Sequence, residues 1–147
     1  MNPAFRALNI PLDWPWIESI LPLHRVDDTS GIVAVDLDTA ANVGACIMDN
    51  WSANSVQAHI IVTNPLLLRH GFLELITGLV YEDMGCKYIY GQVPSNNTKA
   101  LKLNTRMGFK EVARLKEAYA DGVDYVIMEM HRDDCKIPIP VHIEEVA

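Results

Sequence analysis

Three features of this 147-residue chain combine residue types and spacing that suit chemistry. The first is His59, inside the apolar run Ser55–Thr63 (SVQAHIIVT). An imidazole titrates near neutral pH, so His59 can act either as a general base or as a hydrogen-bonded structural residue. The second is a local charge excess. Between Arg69 and Arg114 the bases Arg69, Lys87, Lys99, Lys102, Arg106, Lys110 and Arg114 outnumber Glu74, Glu82, Asp83 and Glu111, although the chain as a whole carries a net charge of −7. A basic segment in an acidic chain suits a small anionic ligand held locally. The third lies within that segment. A helix opening at Ser95–Asn97 aims free N–H groups and the positive end of its dipole at whatever lies beyond the preceding strand, which favours an anion there.

Other residues carry weaker signals. Tyr90 and Tyr119 are alternative bases, although strand aromatics usually pack. Asp49-Asn50-Trp51-Ser52 sets an aromatic beside a carboxylate, which fits a plain turn or the reception of a cationic amine.

The elements that must position these groups are set by periodicity and breakers. Asp13–Leu21 reads as a short helix capped by Asp13, with Pro15 in its first turn. Ile32–Asp36, Asn42–Met48 and Ser55–Thr63 are β-rich runs separated by turn residues, predicted as three neighbouring antiparallel strands. From Pro65 to Met84, Phe72, Leu75, Ile76, Leu79, Val80 and Met84 recur at three- and four-residue steps before Gly85, which predicts one long helix with a glycine C-cap. Tyr88–Val93 reads as a strand. Ser95–Met107 reads as a helix capped by Ser95 or Asn96, with Ala100, Leu103 and Met107 inward and Gly108 as its stop. Strand, helix, strand in that order implies a right-handed parallel crossover. Phe109–Tyr119 and Val123–His131 form a hairpin about Asp121-Gly122. The expected fold is thus α/β (α+β): a mixed, mostly antiparallel sheet with a central parallel strand pair, flanked by helices. One domain over 1–147 fits the length, with 136–147 an irregular tail.

The stretch Asn97–Phe109 (NTKALKLNTRMGF) resembles the C-terminal signature of the GNAT superfamily of N-acetyltransferases. In that signature an Asn, a small residue three on and an aliphatic residue three further precede a Gly-Phe pair, matched here by Asn97, Ala100, Leu103, Gly108 and Phe109. The likeness continues through EVARLKEAYADGVDYVIMEMHRDD into the family's last hairpin and covers roughly Ile60 to Asp134. It implies acetyl-CoA as co-substrate and transfer of its acetyl group to a primary amine of a small molecule or protein. It assigns the main chain of Ile60, Ile61 and Val62 to the pantetheine and acetyl carbonyl, and Asn97 and Ala100 to the pantetheine arm. Aligning Pro65 with the family's proline puts Gly71 on the first glycine of the pyrophosphate loop, and Leu68 and Leu73 where the pattern has Arg/Gln and Gly/Ala. Backbone amides at Gly71 and Phe72, aided by the side chains of Arg69 and His70, would then hold the phosphates. Many members protonate the departing thiolate with a Tyr where this chain has Asn104, which can hydrogen-bond sulfur but cannot act as an acid. The ribosomal-protein N-terminal acetyltransferase branch, nearest in pattern, also lacks that Tyr. His59 takes the place of the base. A catalytically silent GNAT-like binding or structural module is the alternative, motivated by Leu68, Leu73 and Asn104.

Composition narrows the rest. Cys46, Cys86 and Cys135 are odd in number and form no CxxC pair, so no disulfide framework or metal site is expected. The acidic balance disfavours nucleic acid. No run approaches the ~20 apolar residues of a membrane span, and the start lacks a leader pattern, so a soluble, cytoplasmic protein is expected. Strand edges leave room for a homodimer.

Overall fold

A computed structural model describes residues 1–141. The described chain forms two compact units, one of Met1–Trp51 with Ala58–Phe72, the other of Ser52–Gln57 with Leu73 onward. Seven strands are hydrogen-bonded in the order β1-β2-β3-β4-β5-β7-β6. They are β1 (Pro3–Ala7), β2 (Ser30–Asp36), β3 (Ala41–Asp49), β4 (Ser55–Val62), β5 (Tyr88–Pro94), β6 (Lys110–Ala120) and β7 (Val123–His131). The sheet is mostly antiparallel, and β4 and β5 form its parallel pair. The fold class read from the sequence is therefore the one observed.

In the first unit, β1 pairs with β2 and β2 with β3, with a bulge between Ala34 and Val35. Helix α1 (Ile10–Glu18) places Ile17, fully buried, against Val33, Ala45, Ile47 and Ile61. Removing this apolar surface from water is the main stabilising term for the layer. Two expectations are corrected here. Strand β1 went unpredicted, and α1 is capped by Asn9, whose side chain accepts from the Leu12 amide at 3.1 Å. Asp13 instead sits buried in the first turn, where Arg6 engages it.

In the second unit, β5 aligns with the start of β4 in the register Ser55↔Tyr88, Val56↔Ile89 and Gln57↔Tyr90. On its other side β5 pairs antiparallel with β7, which carries the edge strand β6. Every residue of β6 is exposed.

The long helix expected over Pro65–Met84 is segmented. Pro65–His70 forms a 3-10 turn, Gly71 adopts a left-handed φ of 79°, α2 spans Phe72–Thr77, and Gly78–Asp83 winds as a π-helical turn. Only a residue without a Cβ takes such a φ at little cost, so Gly71 is where the chain changes direction. Within the π turn Tyr81 is buried, and its hydroxyl donates to the Met130 carbonyl at 2.6 Å.

Helix α3 (Thr98–Met107) is capped one residue past Asn96 and two past Ser95, the two expected caps. Asn97 is the cap, its Oδ1 accepting from the Ala100 amide at 3.2 Å. The Ser95 hydroxyl is occupied elsewhere, accepting from the Asp124 amide at 2.9 Å. Of the predicted inward positions Met107 is buried, while Ala100 and Leu103 are half-buried. Gly108 ends the helix with φ 118°, and a Cβ there would lie 2.2 Å from the Asp134 carbonyl oxygen. Past the turn Arg132–Asp134, residues 135–141 carry no helix or strand. The rest of the anticipated tail, 142–147, lies outside the described residues.

Candidate active site

The expected site residues fall into two sets, one in each unit. In the first, β3 ends in Asp49 and β4 carries His59, and the two side chains meet in a largely buried setting. His59 Nε2 lies 3.4 Å from Asp49 Oδ2, with side-chain exposures of 13% and 10%. The approach is electrostatic contact without hydrogen-bond geometry, because both His59 Nε2 and Asp49 Oδ1 lack a hydrogen-bond partner. Burial pushes the Asp49 carboxyl up, with His59 opposing. Burial also pushes the His59 imidazolium down, with Asp49 opposing. His59 is thereby kept neutral to lower pH than a solvated imidazole, which is the form a base requires. Since Nε2 faces Asp49, Nδ1 is the nitrogen left to take a proton. Sequence reasoning found His59 and missed Asp49 as its partner, reading the segment from Asp49 to Ser52 as a plain turn or a receiver of a cationic amine. The available signal was an acid and a histidine on consecutive, otherwise apolar strands. Trp51 is half-buried, and its amide donates to Asp28 Oδ2 at 3.0 Å.

Beyond His59, strand β4 continues through Ile60, Ile61 and Val62, of which Ile61 is buried and the other two half-buried. Arg69 and His70 are exposed at the end of the 3-10 turn. At Gly71 nothing lies within 4 Å of where a Cβ would be, so its backbone faces open space. Phe72 is buried and stacks on Phe5 with ring centroids 5.9 Å apart, leaving only its main chain for a ligand.

In the second unit, Asn97 commits its side-chain oxygen to the helix cap, and its amide NH₂ remains a donor. The first turn of α3 contains no acidic residue, so nothing within it offsets the positive end of the helix dipole. Asn104 is half-buried and donates through Nδ2 to Met128 Sδ at 3.8 Å, a weak bond. Leu73 is buried at 6% exposure. Of the alternative bases, Tyr119 sits edge-on to Tyr125 at 5.4 Å, and Tyr90 lines a cleft with Tyr88.

Burial raises the pKa of all three thiols, that of Cys46 to about 12. Among the described residues no group of three or more His, Cys, Asp or Glu is placed to hold a metal ion. Among them, too, no helix is long and apolar enough to cross a membrane.

No protein-family model matches this chain, and no curated protein matches it in sequence. Solved structures do match in shape. A spermidine/spermine N-acetyltransferase, SpeG, from Vibrio cholerae, solved with manganese ions, superposes with a TM-score of 0.71 at 16% identity over 90% of this chain and 94% of its own. The spermidine N-acetyltransferase from Vibrio cholerae in complex with CoA and spermine gives 0.71 at 16% identity over 90% and 97%. A nourseothricin acetyltransferase gives 0.66 at 20% identity over 89% and 99%. At these identities the likeness shows the fold alone, a mixed, mostly antiparallel sheet with one parallel pair flanked by helices that this chain shares with these acetyltransferases.

Proposed function

We propose that the protein is an N-acetyltransferase that moves the acetyl group of acetyl-CoA to a primary amine, with His59 as its general base. The observation carrying this reading is the buried His59–Asp49 contact, with unpaired polar atoms on both side chains, on a strand of an acetyltransferase fold. Both groups are titratable, largely buried and shifted in pKa, a combination that marks a candidate for acid–base chemistry.

Acetyl-CoA supplies a thioester whose carbonyl carbon accepts the amine. Each unit carries groups that would suit part of such a co-substrate. The open backbone at Gly71, with the exposed side chains of Arg69 and His70 beside it, suits a phosphate-bearing group. The α3 N-terminus with the Asn97 amide suits the amide-rich pantetheine arm, and half-buried Ala100 keeps that face low. Main-chain groups of Ile60, Ile61 and Val62 would orient the acetyl carbonyl and stabilise the charge that develops on its oxygen. His59 Nδ1 takes the proton released as the amine nitrogen bonds to carbon. Asp49 holds the imidazole and stabilises the imidazolium that forms. The departing sulfur takes a proton from solvent, because Asn104 has none to give.

The acceptor is a small-molecule amine or a protein amine; spermidine, spermine and nourseothricin, named for the structural neighbours, are the first to try. The likeness to the ribosomal-protein branch rests on sequence pattern alone, so N-terminal peptides complete the panel. A raised unfolding temperature with acetyl-CoA, followed by thiol release with one of these amines, is the expected result. No shift at millimolar acetyl-CoA removes the enzyme reading. A shift without thiol release across the panel favours the silent GNAT-like module, for which the Asn104–Met128 bond is the supporting observation.

A further inference from the structure

The first unit carries an open cleft of about 440 Å³ beside α1. None of the residues that line it belongs to the candidate active site. Strand register and helix spacing explain why they converge. Val33 and Val35 face the same side of β2, Arg6 opposes Val33 from β1, and Asn42 opposes Val35 from β3. Partners in register project from one face of a sheet, so Arg6, Val35 and Asn42 share the face on which α1 packs. Helix α1 brings Asp13 to the two polar side chains and sets Leu12 and Trp16 one turn apart along the cleft. The β2–β3 turn and the first residue of β3 add the methyl groups of Ala40 and Ala41.

From this arrangement we infer that the cleft binds a small, flat, neutral aromatic amide, with its ring on Trp16 and Leu12 and its amide on Asn42. Four observations carry it. The polar floor is balanced in charge: Arg6 meets Asp13 through two bonds of 2.7 Å and directs a further N–H to the Ala7 carbonyl at 3.2 Å. A matched cation and anion present little net field, so an ion of either sign would lose its hydration without an opposite charge to replace it. Among the described residues Asn42 makes one side-chain bond, from Nδ2 to Asp13 Oδ1 at 3.3 Å. Its carbonyl oxygen and second N–H are the complement of a neutral primary amide. The walls are apolar: Trp16 and Val35 are half-buried, and Leu12, 67% exposed, offers surface that a bound ring would remove from water. Finally, Ala40 holds a left-handed φ of 60°, a conformation that a residue with a Cβ adopts at a cost, and its methyl lies on the cleft. Backbone strain of this kind collects at ligand sites. The volume falls within the range of small-molecule clefts.

The test is calorimetric titration of the whole chain with benzamide and, in parallel, with benzoate and benzylammonium, which keep its size and change only its charge, together with NMR of the tryptophan indole N–H groups. Saturable binding of benzamide is expected, with both ions at least about tenfold weaker and the Trp16 signal shifting while that of Trp51 stays fixed. Ala41→Leu, which fills the cleft from a strand position, should weaken benzamide at least about tenfold, with its unfolding midpoint measured alongside. Ala40→Gly, which suits the left-handed turn and removes one methyl from the wall, should keep the fold and weaken benzamide about threefold. Equal affinity for either ion, an unaltered titration in folded Ala41→Leu, a shift at Trp51 without one at Trp16, or no saturable heat with millimolar benzamide would each overturn the assignment. So would a dimer in sedimentation that Ala41→Leu dissociates, which would give the cleft to a second copy of the chain.

Discussion

The first unit buries two carboxylates and surrounds them differently. Asp13 is fully buried and saturated: Arg6 grips it with two bonds of 2.7 Å, the Asn9 amide donates at 2.8 Å and Asn42 at 3.3 Å. Asp49, with 7% of its surface exposed, has one oxygen without a hydrogen-bond partner and faces a histidine that also lacks one. Their titration differs accordingly: the Arg6 guanidinium holds the Asp13 carboxyl below the usual range, whereas burial lifts that of Asp49. A buried charge with a complete shell of donors fastens elements together; one with an incomplete shell is held ready for something else. Asp13 ties β1, the start of α1 and β3 into one piece, and it also lines an open cleft of about 440 Å³ beside Arg6 and Trp16. Because its donors are committed, that cleft offers a ligand little unsatisfied polarity.

The most severe way to break the contrast is Asp13→Ala. It strands the Arg6 guanidinium and two further donors, and should cost about 3 kcal/mol in urea unfolding, at the low end for broken buried pairs because Arg6 is partly solvated. A loss below about 1 kcal/mol would make the two carboxylates equivalent. Next is His59→Gln, expected to lower turnover by about 10²-fold while stability and acetyl-CoA affinity stay within experimental error. Unchanged turnover would return His59 to a structural role. Asp49→Asn should lower turnover by about tenfold and leave stability within about 1 kcal/mol, because it removes a desolvated charge along with its contact. It should also move the His59 titration midpoint, monitored by NMR, to lower pH, since Asp49 is what holds it up.

The smallest effect is in the acid limb of stability. Asp13, with its folded pKa lowered, contributes stability that is present above the unfolded carboxyl value near 3.9 and is lost as pH falls through its folded value. Asp49, with its folded pKa raised, has the opposite sign: its contribution is present below the unfolded value and is lost as pH rises through the folded one. Asp13→Ala should therefore flatten the acid limb, and Asp49→Asn should steepen it. Identical limbs would show that the two groups titrate alike.

Much of this architecture was legible in the sequence because strand alternation, turn glycines and the Asn97–Phe109 spacing report local geometry. The strands from Ile32 onward and the hairpin at Asp121-Gly122 lie within a residue or two of their predicted bounds. Strand β1 was not legible, because PAFRA combines a proline, an arginine and only five residues, and is ordered by pairing with the distant Ser30–Asp36. The segmented helix was hidden because 3-10, α and π turns bury similarly spaced apolar residues, and only Gly71 betrays a change of direction. At the candidate site His59 was visible by type, but the Asp49 contact depends on the pairing of two strands, which no local spacing encodes.

The π turn at Gly78–Asp83 bears on how the chain tolerates changes in length. A π turn holds one residue more than an α-helix would in the same span. Deleting one residue there would let the backbone relax to 3.6 residues per turn, so that the elements beyond keep their place while side chains between the deletion and the end of the turn rotate by about 100°. Tyr81, whose hydroxyl reaches the Met130 carbonyl, could then keep its depth in the core or its hydrogen bond, but not both. Relatives that keep this anchor should accept substitutions across the segment more readily than a single deletion.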